Sequence, residues 1–296
     1  MTIPKSFRAG YVALIGRPNV GKSTLLNALL DFKLSIVSTK PQTTRKKVLG
    51  ILNDEKNQIV FFDTPGILEP NYDLQTKMVE YIKEAISDAD LTCLMTDISA
   101  DPHELHSLSA EFLPANEAMI IVLNKIDLVS QTKVEQLRKN YQKFFTNSKC
   151  YPISARSGEG IKDLLKAIQS QLPQHPPYYP QDYLSEANER FFIAEIIREK
   201  IYEFYHKEIP YSCHVDIENM REKKGRKDFI QAAIYVDQPS QKGILIGKGG
   251  QSLKKIGELS RRDIETFLGR QVYLEIYVKV LKNWRKKMSI LKKLGF

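Results

Sequence analysis

The sequence predicts an α/β chain in two parts: a doubly wound, mostly parallel sheet with helices on both faces, followed by a smaller α+β domain. Three observations predict it. Over residues 11–170, apolar strand-like runs alternate with helical periodicities, the order that builds a parallel sheet covered by helices. Residues 172–182, "LPQHPPYYPQD", carry four prolines in eleven positions and read as an extended linker. Beyond them the order becomes helix, two strands, a glycine turn between helices, and a closing strand. A length of 296 residues allows two cores, because single cores rarely grow past ~250 residues. The expected division is a first domain over 1–173, a linker over 174–183 and a second domain over 184–296.

In chain order, the expected strands of the first part are "YVALIG", "QIVFFD", "DLTCLMTD", "AMIIVLNK" and "CYPISA". They are apolar throughout rather than alternating, as strands buried on both faces should be. The expected helices are "KSTLLNALLDF", "DLQTKMVEYIKEAIS", "KVEQLRKNYQKFF" and "IKDLLKAIQSQL". In the second part, "LSEANERFFIAEIIREKIYEFYHKE" reads as an amphipathic helix with Ser185 at its N-cap. Strands "SCHVDIENM" and "DFIQAAIYVD" flank the basic turn "REKKGRK"; "QKGILIGKGGQSLKKIGELSRRDIETFLG" is a glycine turn feeding a helix, and "QVYLEIYVKV" closes with alternation. Tyr178, Tyr179 and Tyr183 beside the linker are expected in interdomain packing.

Composition narrows the function classes. Hydrophobic residues make up 42% and charged residues 27%, ordinary for a globular protein, and no apolar run approaches the ~20 residues of a membrane span. "MTIPKSFRAGYVALIG" lacks a small-residue cleavage site, so export is not indicated. Three scattered cysteines, Cys93, Cys150 and Cys213, argue against a disulfide framework and for a reducing cytoplasm. His103 and His106 share a helical spacing, but no neighbouring ligands complete a metal site. The net charge of +9 is uneven: residues 221–296 hold 19 Lys/Arg against 7 Asp/Glu. A domain so basic expects a polyanion, either nucleic acid or an acidic membrane surface.

The chemistry lies at the carboxyl ends of the expected strands. The octet Gly16-Arg17-Pro18-Asn19-Val20-Gly21-Lys22-Ser23 fits G-x-x-x-x-G-K-[ST] and leads through Thr24 into a helix. In such a loop the backbone amides ring a phosphate, Lys22 supplies a point charge and the Ser23 hydroxyl ligates Mg²⁺. Asp63, in Asp63-Thr64-Pro65-Gly66, is placed to reach Mg²⁺ through a water, and the Gly66 amide to approach a γ-phosphate. Asn124, Lys125 and Asp127 follow, and a carboxylate at 127 accepts from guanine N1–H and N2–H₂, which adenine does not offer in that arrangement. Near Ser154 and Ala155 a backbone amide is expected to meet guanine O6. The order of these pieces is what a doubly wound nucleotide fold demands.

Residues 16–23, 63–66, 124–127 and 153–155 resemble the sequential motifs of translation-factor-class GTPases. The remaining effector motif of that class needs a threonine that completes Mg²⁺ coordination when GTP is bound. Thr44, directly before Arg45, resembles the metal-binding threonine of the bacterial T-T-R subgroup, with Thr43 beside it as the alternative. Where Ras-like enzymes carry a water-orienting glutamine after D-x-x-G, this chain has Ile67. Hydrolysis is therefore expected to be slow and to lean on Lys22, on Mg²⁺, and on backbone near Thr44 and Gly66.

In the second part, Gly247-Lys248-Gly249-Gly250 fits the G-x-x-G loop of KH modules, within the helix-strand-strand-helix-helix-strand order of their bacterial, type II variety. Glycines there let backbone approach sugar-phosphate. Lys242, Lys248, Lys254 and Lys255 supply charge, and Gly243, Ile244 and Ile246 flank an apolar groove for splayed bases. The tail "LKNWRKKMSILKKLGF" is basic and amphipathic, and its Trp284, Ile290 and Leu291 are expected to dock into the domain.

A GTPase with P-N-V-G-K-S and T-T-R followed by one KH domain looks like the bacterial Era family over essentially the whole chain. The resemblance implies a P-loop GTPase domain followed by a type II KH domain, with Mg²⁺ and GTP/GDP as cofactors. It implies a ribosome assembly factor that binds small-subunit ribosomal RNA near its 3′ end, and hence the 30S subunit, according to nucleotide state. A cytoplasmic monomer with loose peripheral contact to the inner membrane is expected. Two rivals are an RNA-binding scaffold with a structural nucleotide, kept open by Ile67, and a peripheral membrane GTPase whose basic domain reads lipid.

Overall fold

The computed structural model describes residues 6–113, 119–223 and 225–296. Residues 1–5 of the expected N-terminal run, Ala118 at the head of an expected strand, and Lys224 in the basic turn lie outside them. Two compact units form: the first extends to Glu186 without Pro70–Lys77, and the second comprises Pro70–Lys77 and Ala187–Phe296.

In the first unit the order is β1 (Arg8–Gly16), α1 (Lys22–Leu30), β2 (Val48–Asn53), β3 (Asn57–Asp63), α2 (Asp73–Asp88), β4 (Leu91–Asp97), α3 (Pro102–Phe112), β5 (Met119–Asn124), α4 (Gln131–Phe144), β6 (Lys149–Pro152) and α5 (Ile161–Gln171). The sheet runs β2-β3-β1-β4-β5-β6. All neighbours are parallel except β2 and β3. Every residue of β4 is buried, and Ala13, Ile15, Leu94, Ile121 and Leu123 carry the core between the sheet and one helical layer. Burying a side chain of that size stabilises by about 2 kcal/mol, so the strand ends are held rigidly.

Two elements go beyond the sequence expectation. β2 is a six-residue antiparallel edge strand, too short for periodicity to declare. α3 is a surface helix with Leu105 and Ser109 buried; its start is set by Asp101, whose carboxylate accepts from the His103 amide, and by Pro102.

The proline-rich stretch is extended, but it is strapped to the first unit. Gln58, wholly buried, accepts from the amides of Tyr178 and Tyr179 and donates to the Tyr179 carbonyl. The Ile51 amide donates to Leu184 O at 2.8 Å. Tyr178 packs against Tyr11 and stacks on His175 within this unit, whereas Tyr183 is exposed. Ser185, the expected N-cap, donates instead to Leu49 O at 2.5 Å.

The second unit continues with α6 (Glu189–Phe204), α7 (Ile209–Ser212), β7 (His214–Arg221), β8 (Asp228–Val236), α8 (Pro239–Ile246), α9 (Gln251–Leu268), β9 (Val272–Val280) and α10 (Met288–Lys293). α6 is capped by Asn188, which accepts from Phe191 N at 3.0 Å, so the helix begins later than Ser185 suggests. Its sheet is β7-β8-β9, antiparallel then parallel. Ile193, Ile197, Ile230, Ile234, Leu245 and Ile264 centre a separate core. Trp284 is fully buried, its indole donating to Ser212 O at 2.9 Å, and Leu291 is buried beside it in the same unit, while Ile290 stays half-exposed.

Candidate functional site

The carboxyl ends of β1, β3 and β5 open into one cleft of about 690 Å³, lined by Pro18, Gly21, Ser23, Thr44, Asn124 and Asp127 among others. Its first wall is the loop between β1 and α1. Gly16 sits at φ +149, where an added side-chain carbon would lie 2.2 Å from Met95 O. Gly21 sits at φ +99, and the same carbon would meet Asn124 Nδ2, also at 2.2 Å. Lys22 is buried and folds back over the loop, donating to Gly16 O at 3.0 Å and Arg17 O at 3.1 Å. Burial pulls its ammonium down to about 8, with Asp63 opposing.

Beside Lys22 three oxygen-bearing side chains converge. Ser23 Oγ donates to Asp63 Oδ2 at 2.8 Å and lies 3.0 Å from Thr44 Oγ1, which is 3.3 Å from the same carboxylate oxygen. Asp63 Oδ1 is buried with no hydrogen-bond partner. Burial pushes the Asp63 pKa up, against the pull of Lys22 and of the hydroxyls of Ser35, Ser23 and Thr44. Hard oxygens with an orphaned carboxylate oxygen are a donor set that a small divalent cation accepts. Gly66 closes this end: its space is taken by Pro18, 2.7 Å from any added carbon, while Ile67 N donates to Gly16 O at 3.0 Å. Ile67 itself is buried among Phe62 and Ile82 of the core.

At the other end, Asn124 is a brace between loops, donating to Val20 O at 2.7 Å and accepting from Ala155 N at 2.9 Å. Lys125 adopts φ +66 and pairs with Asp97 at 2.6 Å. Although burial acts to raise it, the ammonium of Lys125 and the groups of Ser99 hold the Asp97 carboxyl below its usual range. Asp127 is exposed at the cleft.

Several expected contacts are differently employed. Arg17 turns to Glu104 at 3.0 Å, outward. Thr64 is buried and donates to Leu14 O at 2.6 Å, so its hydroxyl serves the frame, and Pro65 beside it is buried too. Of the amides near which a base contact was expected, that of Ser154 is committed to Glu159 O and that of Ala155 is held by Asn124. Val20 and Thr24 flank the loop at its tip and in the first turn of α1.

Sequence reasoning missed Asp97 and Asn27, and placed Asn19 in the phosphate loop without its bond to the following loop. Asp97 ends β4 as Asp63 ends β3 and Asn124 ends β5, a positional signal that was available. Asn27 pins the loop after α1 by accepting from the amides of Leu34 and Ser35, and Asn19 donates to Thr39 O at 2.9 Å. Nothing in a motif announces these.

In the second unit the G-x-x-G turn joins α8 to α9. Gly247, Gly249 and Gly250 have φ of +72, +59 and +77. Nothing lies within 4 Å of a carbon added at Gly249 or Gly250, so conformation rather than space requires glycine there. Lys248 and Lys254 are exposed, Lys242 is half-buried, and the Lys255 ammonium sits 4.8 Å over the Phe204 ring. The two isoleucines expected to share a groove part company. Ile246 packs on the core, while Ile244, next to the exposed Gly243, is 53% exposed and faces a different cleft.

Elsewhere, His103 and His106 pack on Phe144 and Phe145, and among the described residues no group of three or more His, Cys, Asp or Glu is placed to hold a metal. Cys93, Cys150 and Cys213 are buried free thiols. Among the described residues no helix is long and apolar enough to cross a membrane.

Comparison with known proteins agrees with this geometry. A family model described as a 50S ribosome-binding GTPase matches residues 11–125, and a KH domain model matches residues 208–285. GTPase Era of Caldanaerobacter subterraneus subsp. tengcongensis is 44% identical over 294 residues, covering 98% of both chains. The chloroplastic GTPase ERA1 of Zea mays is 43% identical over 293 residues, 98% of this chain and 70% of that protein. A crystal structure of Era in complex with MgGDPNP and nucleotides 1506–1542 of 16S ribosomal RNA superposes with a TM-score of 0.94 at 39% identity, covering 98% of this chain and 99% of the other. A variant of Aquifex aeolicus Era bound to GDP·AlF4⁻ gives the same TM-score, identity and coverage.

Proposed function

The chain belongs to the Era family of GTPases, and from that premise we propose that its cleft binds guanine nucleotide with Mg²⁺ and hydrolyses GTP to GDP and phosphate, while its second unit holds small-subunit ribosomal RNA near the 3′ end. The observation that carries the reading is the convergence of Ser23, Thr44 and Asp63 beside the buried Lys22, in the cleft whose other end presents Asp127. Ser23 and Thr44 would hold the metal directly, Thr44 rather than Thr43 because its hydroxyl is the one 3.0 Å from Ser23; Asp63 would act through a water. When bound, Mg²⁺ neutralises charge on the phosphates.

Lys22 does the same from the protein side. Its proton is loosely held in the buried cleft, and a polyanion beside it restores the full charge where charge develops. Ile67 has neither donor nor acceptor and points into the core, so orientation of the attacking water falls to backbone near Gly66 and Thr44. Slow turnover follows, quickened when a partner orders residues 33–47. Asp127 selects guanine, and Asn124 keeps the phosphate and base loops in register.

Nucleotide state gates RNA binding in this proposal. What supports it is local: the loop over residues 33–47 runs directly into β2, whose backbone is bonded to Leu184 and Ser185 just before the second unit begins. We place the protein in the cytoplasm as a monomer; exposed lysines at 282, 286, 287, 292 and 293 support loose contact with an anionic membrane as well as with RNA. Calorimetry with GTP and ATP tests the nucleotide reading, and equal affinity for both overturns it. Crosslinking in cells, with identification of the bound RNA segment, tests the other half.

A further inference from the structure

We infer that a second cleft of the second unit, beside the glycine loop rather than in it, takes one unstacked nucleotide of the same RNA strand. The inference rests on the RNA reading above and extends it to a site of its own. The cleft, about 620 Å³, lies between the segment after α6 and the exposed side of α8, and is lined by Phe204, His206, Lys207, Ser240, Ile244 and Arg285 among others. That volume is in the range of small-ligand sites.

Two large apolar groups stand open to water here, Phe204 at 38% and Ile244 at 53% exposure. Exposed aromatic and aliphatic side chains ringed by cations are how single-stranded nucleic acid is held: bases stack on the ring and phosphates meet the ammonium groups. The Lys255 ammonium lies 4.8 Å over the Phe204 ring, so a cation covers one face of the aromatic surface and stands ready for a neighbouring phosphate. Lys207 adds charge at the rim. Arg285 is engaged by Asp237 at 2.6 Å and serves as a wall, and Glu208 is an acidic member of the lining.

Continuity argues for the same strand as occupant. Ile244 precedes Gly247 by three residues on the helix that runs into the loop, so the cleft adjoins the place where a strand would be clamped at Gly247–Gly250. A base is favoured over a lipid chain because the apolar groups Phe204 and Ile244 are confined to a cleft they share with polar Gln238, Ser240 and Gln241.

The test uses the full chain with Mg²⁺ and a non-hydrolysable GTP analogue. Its probe is a fluorescent oligonucleotide of the 3′-terminal small-subunit RNA, in full length and in versions shortened stepwise from each end. Phe204→Ala and Phe204→Leu should both weaken the full-length RNA about 5- to 100-fold and leave one shortened version unaffected, with the thermal unfolding of Trp284 fluorescence still cooperative as evidence that the second unit is folded. Ile244→Ala should weaken it less, in the same length-dependent way. If Lys248→Asp weakens RNA binding but both Phe204 variants bind every length like wild type, the cleft is not a subsite although the RNA reading stands. If Lys248→Asp also binds like wild type, both fall. Loss of binding to phosphatidylglycerol vesicles with RNA binding intact makes the cleft a lipid contact and overturns the inference.

Discussion

The two glycine loops of this chain, Gly16–Ser23 and Gly247–Gly250, use the same residue for different ends. In the first, both glycines are hemmed in: Met95 O and Asn124 Nδ2 occupy the space beside Gly16 and Gly21, and the lysine is buried against the loop's carbonyls. In the second, a carbon added at Gly247 would meet Ser252 Oγ at 2.2 Å, but Gly249 and Gly250 face open space and Lys248 is exposed. A loop for one small ligand of fixed shape is built tight, so that little reorganisation accompanies chemistry. A loop for a polymer backbone is left open, since its partner arrives in many sequences.

The largest expected effect is on chemistry. Lys22→Ala should slow phosphate release from GTP by about 100-fold or more while leaving nucleotide-independent RNA binding as it was. Unchanged turnover would mean that the tight loop binds but does not catalyse, which is the scaffold reading.

Next comes the cost of filling each loop. Gly21→Ala combines a positive φ with a clash against Asn124, and should destabilise the first unit by about 3 kcal/mol and weaken GDP binding. Gly249→Ala has only its φ of +59 to strain, about 1 kcal/mol. Thermal unfolding of the two variants measures the contrast, and equal losses would erase the distinction between the loops.

Acid should separate the units. A hydrogen bond from Arg270 at 2.6 Å, then the Lys223 amide, hold Asp228 below its usual carboxylate range against burial. Its contribution is therefore present above the unfolded value near 3.8 and is lost as pH falls through the lower folded value. In the nucleotide-free first unit the upward shift of Asp63 favours the folded state on acidification and so offsets the loss at Asp97, whose carboxyl is held low. Fluorescence of Trp284, the single tryptophan and a member of the second unit, should report the acid transition first. Asp228→Asn should flatten it and cost about 2 kcal/mol at neutral pH.

The smallest effect is electrostatic. Lys248→Ala should weaken RNA a few-fold and lower the salt slope by about 0.7, as expected when one phosphate contact to a single strand is lost.

The nucleotide cleft was largely legible because its chemistry is bound to spacing. The phosphate loop, Asp63 and the Asn124–Asp127 stretch fall at strand ends that apolar runs mark plainly, Thr44 was read from its motif alone, and the structure brings them together at one opening. Asn27 was not legible, since it acts through partners 7 to 8 residues away, at a contact no local pattern encodes, whereas Asp97 had its place at the end of β4 to announce it. Ser185 misled for a related reason. It has the chemistry of a cap, but Leu49 O competes for its hydroxyl and Asn188 caps α6 instead.

Sequence by itself determined the order of elements, the two cores, the basic second unit and the family, because periodicity, charge and motif spacing are written along the chain. Tertiary structure alone decided that Ile244 looks toward Phe204 while Ile246 turns into the core, that the Ala155 amide is held by Asn124, and that the proline stretch is strapped along β2 and β3. These depend on which group wins a shared neighbour, and that competition is settled only when distant segments are packed together.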